Sequence, residues 1–282
     1  VATNKIRSPK APALPFAPVQ YAQKYQDDFA NILRLYFTQL DSAFAALLDT
    51  SGGASLTLPN GAFFQDGVTT LSANINNAVT TIPVVSTTGF QNAGALLIGA
   101  ELITYTGKTA TSFTGCFRGQ YGSSNAAHVS GVYVAEGQIG TGSAALVMTE
   151  TSSSNGVALD PADKSKVMFT TAGYYNIQFS AQLLSFDNAV DNVTLWFKKN
   201  GANIDYSAGI GTIPARISSS KPATAIISWN IIIQINANDY IQLYFASDSG
   251  NTLAVTYPPG TSPAHPTSPS VILTATFASA LP

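Results

Sequence analysis

Between Ala225 and Phe245 the chain reads AIISWNIIIQINANDYIQLYF, two apolar strands around a polar turn. Ile227, Trp229, Ile231, Ile233 and Ile235 fall on alternate positions, so one face of the first strand is continuously apolar. The opposite face mixes Ile226 and Ile232 with Ser228, Asn230 and Gln234. Asn236-Ala237-Asn238-Asp239 supplies residues that tolerate tight or left-handed turns. In the second strand Ile241, Leu243 and Phe245 repeat the alternation, with Tyr240, Gln242 and Tyr244 opposite. Burying such a pair takes a second sheet or another subunit. The same period returns at Tyr174–Leu184, through Ile177, Phe179, Ala181 and Leu183, and at Val271–Phe277, through Val271, Leu273, Ala275 and Phe277. With further candidates at Ala144–Met148, Val167–Phe169 and Val193–Lys199, residues 143–282 read as a β-sandwich or barrel.

Near the N-terminus the period changes. Phe29, Leu33, Tyr36, Leu40, Ala43 and Leu47 recur at alternating four- and three-residue steps, the seam of a heptad helix. Pro18 suits its first turn and Gly52-Gly53 its end, so residues 19–50 are predicted helical. Ile32, Phe37, Phe44 and Leu48 widen the stripe beyond what a two-stranded coil needs. The helix either packs on its own domain or associates with copies of itself. Self-association is favoured, because the β-rich region that follows shows no partner helix. Residues 1–18 hold Pro9, Pro12, Pro15 and Pro18 among small residues, an extended arm that cannot fold alone. Ile6, Leu14 and Phe16 give that arm apolar side chains for docking on a partner.

Residues 51–135 start as a connector with a turn at Pro59-Asn60-Gly61, then read as a small β module punctuated by glycines. Its strands are expected at Ile82–Val85, Ala95–Ile98, Glu101–Thr106, Ser112–Thr114 and Val132–Val134, with a hairpin around Gly99-Ala100. Residues 136–142 read as a flexible joint to the last domain.

Composition narrows the class. Only 10% of the 282 residues are charged and 45% are hydrophobic, so Ser, Thr, Asn and Gly replace the charge of an average soluble domain. Aromatic and β-branched content is too high for a disordered chain. A net charge of −2 argues against a nucleic-acid or anionic-membrane partner. No run is long and apolar enough to insert in a membrane, and Val1–Lys5 lacks the apolar core of a signal peptide. Cys116, the one cysteine, forms no intrachain disulfide. Synthesis in a cytoplasm follows as the expectation.

Two resemblances emerge from local signatures. Leu97-Ile98-Gly99-Ala100-Glu101-Leu102-Ile103-Thr104-Tyr105-Thr106-Gly107, then Gly115-Cys116-Phe117-Arg118-Gly119-Gln120-Tyr121-Gly122 and Ala126-Ala127-His128, resemble a spacer module repeated across bacteriophage tail and fibre proteins. Phe169-Thr170-Thr171-Ala172-Gly173-Tyr174-Tyr175, then Leu195-Trp196-Phe197-Lys198-Lys199-Asn200-Gly201, then Asn238-Asp239 in the opening hairpin and Ser270–Leu273, resemble the C1q and tumour-necrosis-factor-like jelly roll. The chain departs from that family in having Asn238-Asp239 where Gly-Asp is usual, and in a long Pro-rich insertion before the last strand. The resemblance implies that the hairpin's two strands lie in different sheets and that the chain forms a homotrimer.

Candidate chemistry is sparse. His128 and His265 read as solvated loop residues, and Cys116 as a buried filler. Asp160/Asp163 and Asp187/Asp191 are the carboxylate pairs a glycosidase would need, but each lies among turn residues. Asp187-Asn188 with Asp191-Asn192 could bind a calcium ion, while the expectation for the chain is no metal and no cofactor. Two loops read as recognition surface: Tyr206–Lys221, with Tyr206 and Arg216, and Ser247–Pro269, with Tyr257 and His265. The expectation is a mainly β, non-enzymatic virion protein of a bacteriophage, with a trimeric helical bundle, a small β module and a C-terminal jelly roll. It would be a homotrimeric fibre or spike, joined to other virion proteins through its N-terminus and binding a host cell-surface glycan or protein. Two other readings are a structural decoration, collar or baseplate protein without a receptor, and a polysaccharide-degrading fibre.

Overall fold

A computed structural model describes residues 12–14, 19–20, 23–48, 58–140, 142–261 and 263–281, with helix side chains through Phe44. The chain divides into two units, Val1–Leu58 and Pro59–Pro282. Helix α1 spans Gln23–Leu48, free of Gly and Pro throughout. It is shorter at its start than the Pro18 signal suggested. Phe29, Leu33, Tyr36, Leu40 and Ala43 are half-buried along one stripe. Leu35, Phe37 and Phe44 are 64%, 60% and 55% exposed. Leu47 lies in the helix, its side chain outside the described residues. Of the three apolar residues expected to dock the N-terminal arm, Leu14 is exposed, and Ile6 and Phe16 lie outside the described residues.

The second unit is mainly β. Its first half holds β1 (Asn60–Gln65), β2 (Val68–Thr70), β3 (Ile82–Pro83), β4 (Gly94–Ile98), β5 (Glu101–Tyr105), β6 (Gly107–Lys108), β7 (Ser112–Thr114) and β8 (Tyr133–Ile139). There follow β9 (Ala144–Ala145), β10 (Glu150–Asn155), β11 (Val157–Leu159), β12 (Val167–Phe169), β13 (Gly173–Ser185) and β14 (Asp191–Lys199). The last are β15 (Ala202–Asn203), β16 (Gly209–Ile213), β17 (Ala223–Ile235), β18 (Tyr240–Ser247), β19 (Thr252–Val255), β20 (Gly260–Thr261), β21 (Ala264–His265) and β22 (Val271–Ser279).

One sheet runs β10-β1-β22-β13-β19-β8-β4-β5, with β17 along the free edge of β13 and β2 beside β8. A second runs β11-β12-β18-β14-β15, with β16 beside β14 and β9 beside β18. Although a tight turn joins them, β17 and β18 do not pair: β17 follows β13 in register from Ile235 to Ala223, and β18 pairs with β14. Each therefore turns its alternating apolar face toward the other sheet. Tyr175, Ile177, Phe179 and Ala181 of β13 meet Leu195 and Phe197 of β14 and Ile241, Leu243 and Phe245 of β18 in one buried cluster. Phe179 is central, its ring edge-on to Trp229 at 4.4 Å and to Phe197 at 5.6 Å.

Glycine closes the side of this sandwich. At Gly211 a Cβ would lie 2.1 Å from Ile227 Cδ1, and at Gly209 one would lie 2.7 Å from the Trp229 ring. Those two side chains of β17 lie flat on the backbone of β16. The turns carrying the jelly-roll resemblance also interlock: Asn200 Nδ2 donates to Asp239 Oδ1 at 2.7 Å, and Tyr240 N donates to Asn200 Oδ1 at 2.9 Å. Asn200 and Asn238 both have positive φ, 51° and 71°, which their short polar side chains tolerate.

The small module has its own core of Leu71, Ile82, Phe90, Leu96, Ile98, Ile103, Tyr105 and Phe113, with buried Cys116. Its hairpin turns at Gly99-Ala100 as the pattern predicts, with Ile98 opposite Glu101 and Gly99 at φ 59°. The joint expected at residues 136–142 is corrected: Glu136–Ile139 belong to β8, which pairs with β4 and β19. Ala95, Leu97 and Leu102 share a buried cluster with Leu184, Phe186, Leu253 and Val255, so module and sandwich are joined through one continuous sheet. The connector before the module also supplies β1 to the sandwich, paired with β10 and touching β22 at Val271.

Candidate recognition surface

The loop between β18 and β22 is not loose. Part of it forms β19, and the remainder projects as a short hairpin whose base is closed by Tyr257 and Ser268. Each backbone N–H of that pair donates to the other's carbonyl at 2.9 Å. Above the base, β20 and β21 pair Gly260 with His265. The imidazole lies over Gly260, where a Cβ would stand 2.2 Å from Nε2. His265 Nδ1 is 2.9 Å from Pro266 O, and because a carbonyl only accepts, Nδ1 carries the hydrogen. Gln182 of β13 donates to Ser268 Oγ and, at 3.4 Å, to Pro269 O, tying the hairpin to the sheet.

Between this hairpin and the ends of β13 and β17 lies an open groove of about 570 Å³. Tyr257, His265, Thr267 and Ser268 form one wall, and Gln182 with Thr224–Ile226 the other. The Tyr257 hydroxyl is closed to solvent and has no hydrogen-bond partner among the described residues. Burial pushes it up to about 12. The structure thus brings Tyr257 and His265 together, as residues of one loop, and adds Gln182 and Ile226. No local signal in the sequence marks those two, because they come from strands far along the chain.

The other loop divides. Tyr206 is fully exposed with φ 62°. Arg216 acts as a tether: Nε donates to Asn188 Oδ1 at 2.7 Å and Nη1 to Gly122 O. Its backbone N–H donates to Asp187 O at 2.8 Å. Its guanidinium thereby holds the loop to the small module.

Two buried polar clusters escaped the sequence reading. In the first, Glu101 is 1% exposed and accepts from Arg118 Nε and Nη2 at 2.8 and 2.7 Å, with His128 Nε2 at 2.8 Å. Backbone N–H groups of Gly119 and Ala126 add bonds of 3.1 and 3.2 Å. Burial alone would raise this carboxyl, but the hydrogen bonds from Arg118 and His128 outweigh it and hold it below the ordinary value. His128 is therefore not a solvated loop residue. The motif residues that carry the fibre-module resemblance converge here as a staple closing the loop from Gly115 to His128.

In the second cluster Glu136, fully buried on β8, accepts from Gln91 N at 2.8 Å and from Gln65 Nε2. The other end of the Gln65 amide accepts from Thr149 N and Oγ1 at 3.1 and 2.7 Å. Tyr105 Oη donates to Gln91 O at 2.9 Å and lies 3.5 Å from Glu136 Oε1. Burial pushes Glu136 up to about 8, although the Gln91 N–H and the Lys108 charge act the other way. A polar knot thus ties sandwich strand β1 to the module.

The paired carboxylates each accept hydrogen bonds. Asp160 Oδ1 accepts from Ala162 N at 2.8 Å, and Asp163 Oδ1 from Ser165 Oγ at 2.6 Å. Asp191 accepts from Ser249 N and Oγ at 3.1 and 2.9 Å and from Thr252 Oγ1. Asp187 accepts from Asn251 Nδ2 at 3.2 Å, which holds its carboxyl below the ordinary range. Among the described residues no three His, Cys, Asp or Glu side chains group to hold a metal ion, and no helix is long and apolar enough to cross a membrane. The chain matches no protein-family model and no curated protein.

Proposed function

We propose that this chain is a homotrimeric fibre or spike of a bacteriophage particle. Its N-terminal arm and helix attach it to other virion proteins, and its C-terminal sandwich presents loops to the host surface. The observation that carries the reading is the outer face of β13, β17 and β22, three strands without a single charged residue. That face presents Asn176, Gln178 and Ser180 beside Ser228, Asn230 and Gln234, with Ile232 63% and Ile272 39% exposed. Depletion of charge with retained apolar anchors is what the centre of a protein–protein interface needs. β17 is also a 13-residue strand at the edge of its sheet, an edge that an isolated subunit would protect with charge or a bulge. Burial against copies of the same chain answers both features. The wide apolar stripe of α1 supports the same threefold association.

The jelly-roll reading is supported by strand traffic. β12, β14, β16 and β18 lie in one sheet while β13, β17 and β22 lie in the other. Successive strands therefore cross between sheets, the Greek-key plan of a jelly roll. The fibre-module resemblance supports the virion setting. Three weak sites on one axis would gain avidity through effective concentration. The test is the mass of the full chain in solution at micromolar concentration. A trimer is expected, lost on Ile232→Lys, and a wild-type monomer would overturn the reading. Labelling of the N-terminus on intact particles then locates the attachment point.

A further inference from the structure

The groove beside Tyr257 specifies a ligand class by what lines it. Among the described residues that line it there is no Asp, Glu, Lys or Arg, so an anionic or cationic ligand would lose its water shell without a counter-charge. Its polar groups are an amide, hydroxyls and an imidazole, from Gln182, Thr224, Thr267, Ser268 and His265. A purely aliphatic ligand would leave these unpaired, a loss of the kind that discriminates strongly. Ile226, 68% exposed, and the Tyr257 ring add apolar relief between the polar groups. A molecule with hydroxyls around its rim and C–H faces above and below meets both kinds of wall.

Size and order agree with that chemistry. The groove's volume of about 570 Å³ lies within the roughly 300–1,000 Å³ of small-ligand sites. Its outer wall is already fixed by the paired bonds of Tyr257 and Ser268 and the Gln182 tether, so little ordering opposes binding. We propose that this groove binds a neutral saccharide of the host surface. The proposal rests on the host-binding reading above and gives that reading its ligand class and place.

The test uses the labelled full chain on an array of neutral and acidic bacterial surface oligosaccharides, with whole cells of the array's source strains in parallel. Wild type is expected to bind neutral oligosaccharides. His265→Ala and Thr267→Val should each bind about tenfold more weakly, the effect of one lost hydrogen bond, with unchanged thermal melts. Gly260→Ala should weaken binding likewise by displacing the imidazole without deleting it. Full-strength array binding by all three variants would overturn the groove and leave the host-binding reading standing. Binding confined to acidic oligosaccharides, or adsorption to cells that protease treatment abolishes, would overturn the ligand class. No binding to either array or cells would overturn both proposals.

Discussion

Glu136 should make the stability of the β unit fall as pH rises through neutrality. Its carboxyl ordinarily titrates at 4.5 and is pushed up to about 8 by burial. Below pH 4.5 it is neutral in both the folded and the unfolded chain, and the fold is not penalised. Between 4.5 and 8 the unfolded chain ionises while the fold retains the proton, so each pH unit removes about 1.4 kcal/mol of stability. The loss at pH 7 is then about 3 kcal/mol, rising to about 5 above pH 8, where both states are ionised. Glu136→Gln removes the titration and keeps the shape. It cannot keep every bond, because its NH₂ must face either the Gln91 N–H or the Gln65 amide nitrogen. That mismatch costs about 1 kcal/mol at every pH. The difference in unfolding free energy between variant and wild type should therefore start near zero or slightly negative at pH 5. It should climb by about 3–4 kcal/mol by pH 8. Urea denaturation of the full chain at pH 5, 6, 7 and 8, followed by tryptophan fluorescence, measures it, since Trp229 packs against the sandwich core. A difference that stays flat from pH 5 to 8 would refute the reasoning.

Three further outcomes follow from the packing. Arg118→Ala strands the buried Glu101 carboxylate and should cost about 3–5 kcal/mol; adding Glu101→Gln should recover part of that loss, and urea denaturation of both variants reads it. Gly211→Val drives a side chain into Ile227 and should cost about 1–3 kcal/mol, partly restored by Ile227→Ala in the same thermal-melt series. Leu40→Asp places a charge on the proposed helical seam and should reduce the mass of the full chain in solution; an unchanged mass would remove the helix from the assembly.

The strands with apolar alternation were legible because burial of one face leaves a period of two in the residues themselves. Val167–Phe169 was readable to the residue, and Ser112–Thr114 likewise. β10 was not, because Glu150–Asn155 pairs at an exposed edge and needs no apolar face. β8 misled for the opposite reason. Its Glu136, Gly137 and Gln138 look like a joint, yet they are buried because Gln65, Gln91 and Val147 supply hydrogen-bond partners from elsewhere in the chain.

The candidate site divides along the same line. Sequence alone picked out Tyr257 and His265, since a long loop of Pro, Thr and aromatic residues between two strands is locally unusual. It equally picked out Arg216, but not the bonds of its guanidinium to Asn188 and Gly122. What sequence determined about this protein was which faces must be hidden, because that information is periodic and local. Only the tertiary structure decided which polar groups meet. Glu101 with His128, Gln65 with Glu136 and Gln182 with the Tyr257 loop lie 27, 71 and more than seventy positions apart. Such pairings are fixed by the order of strands in the sheets, and no local pattern encodes them.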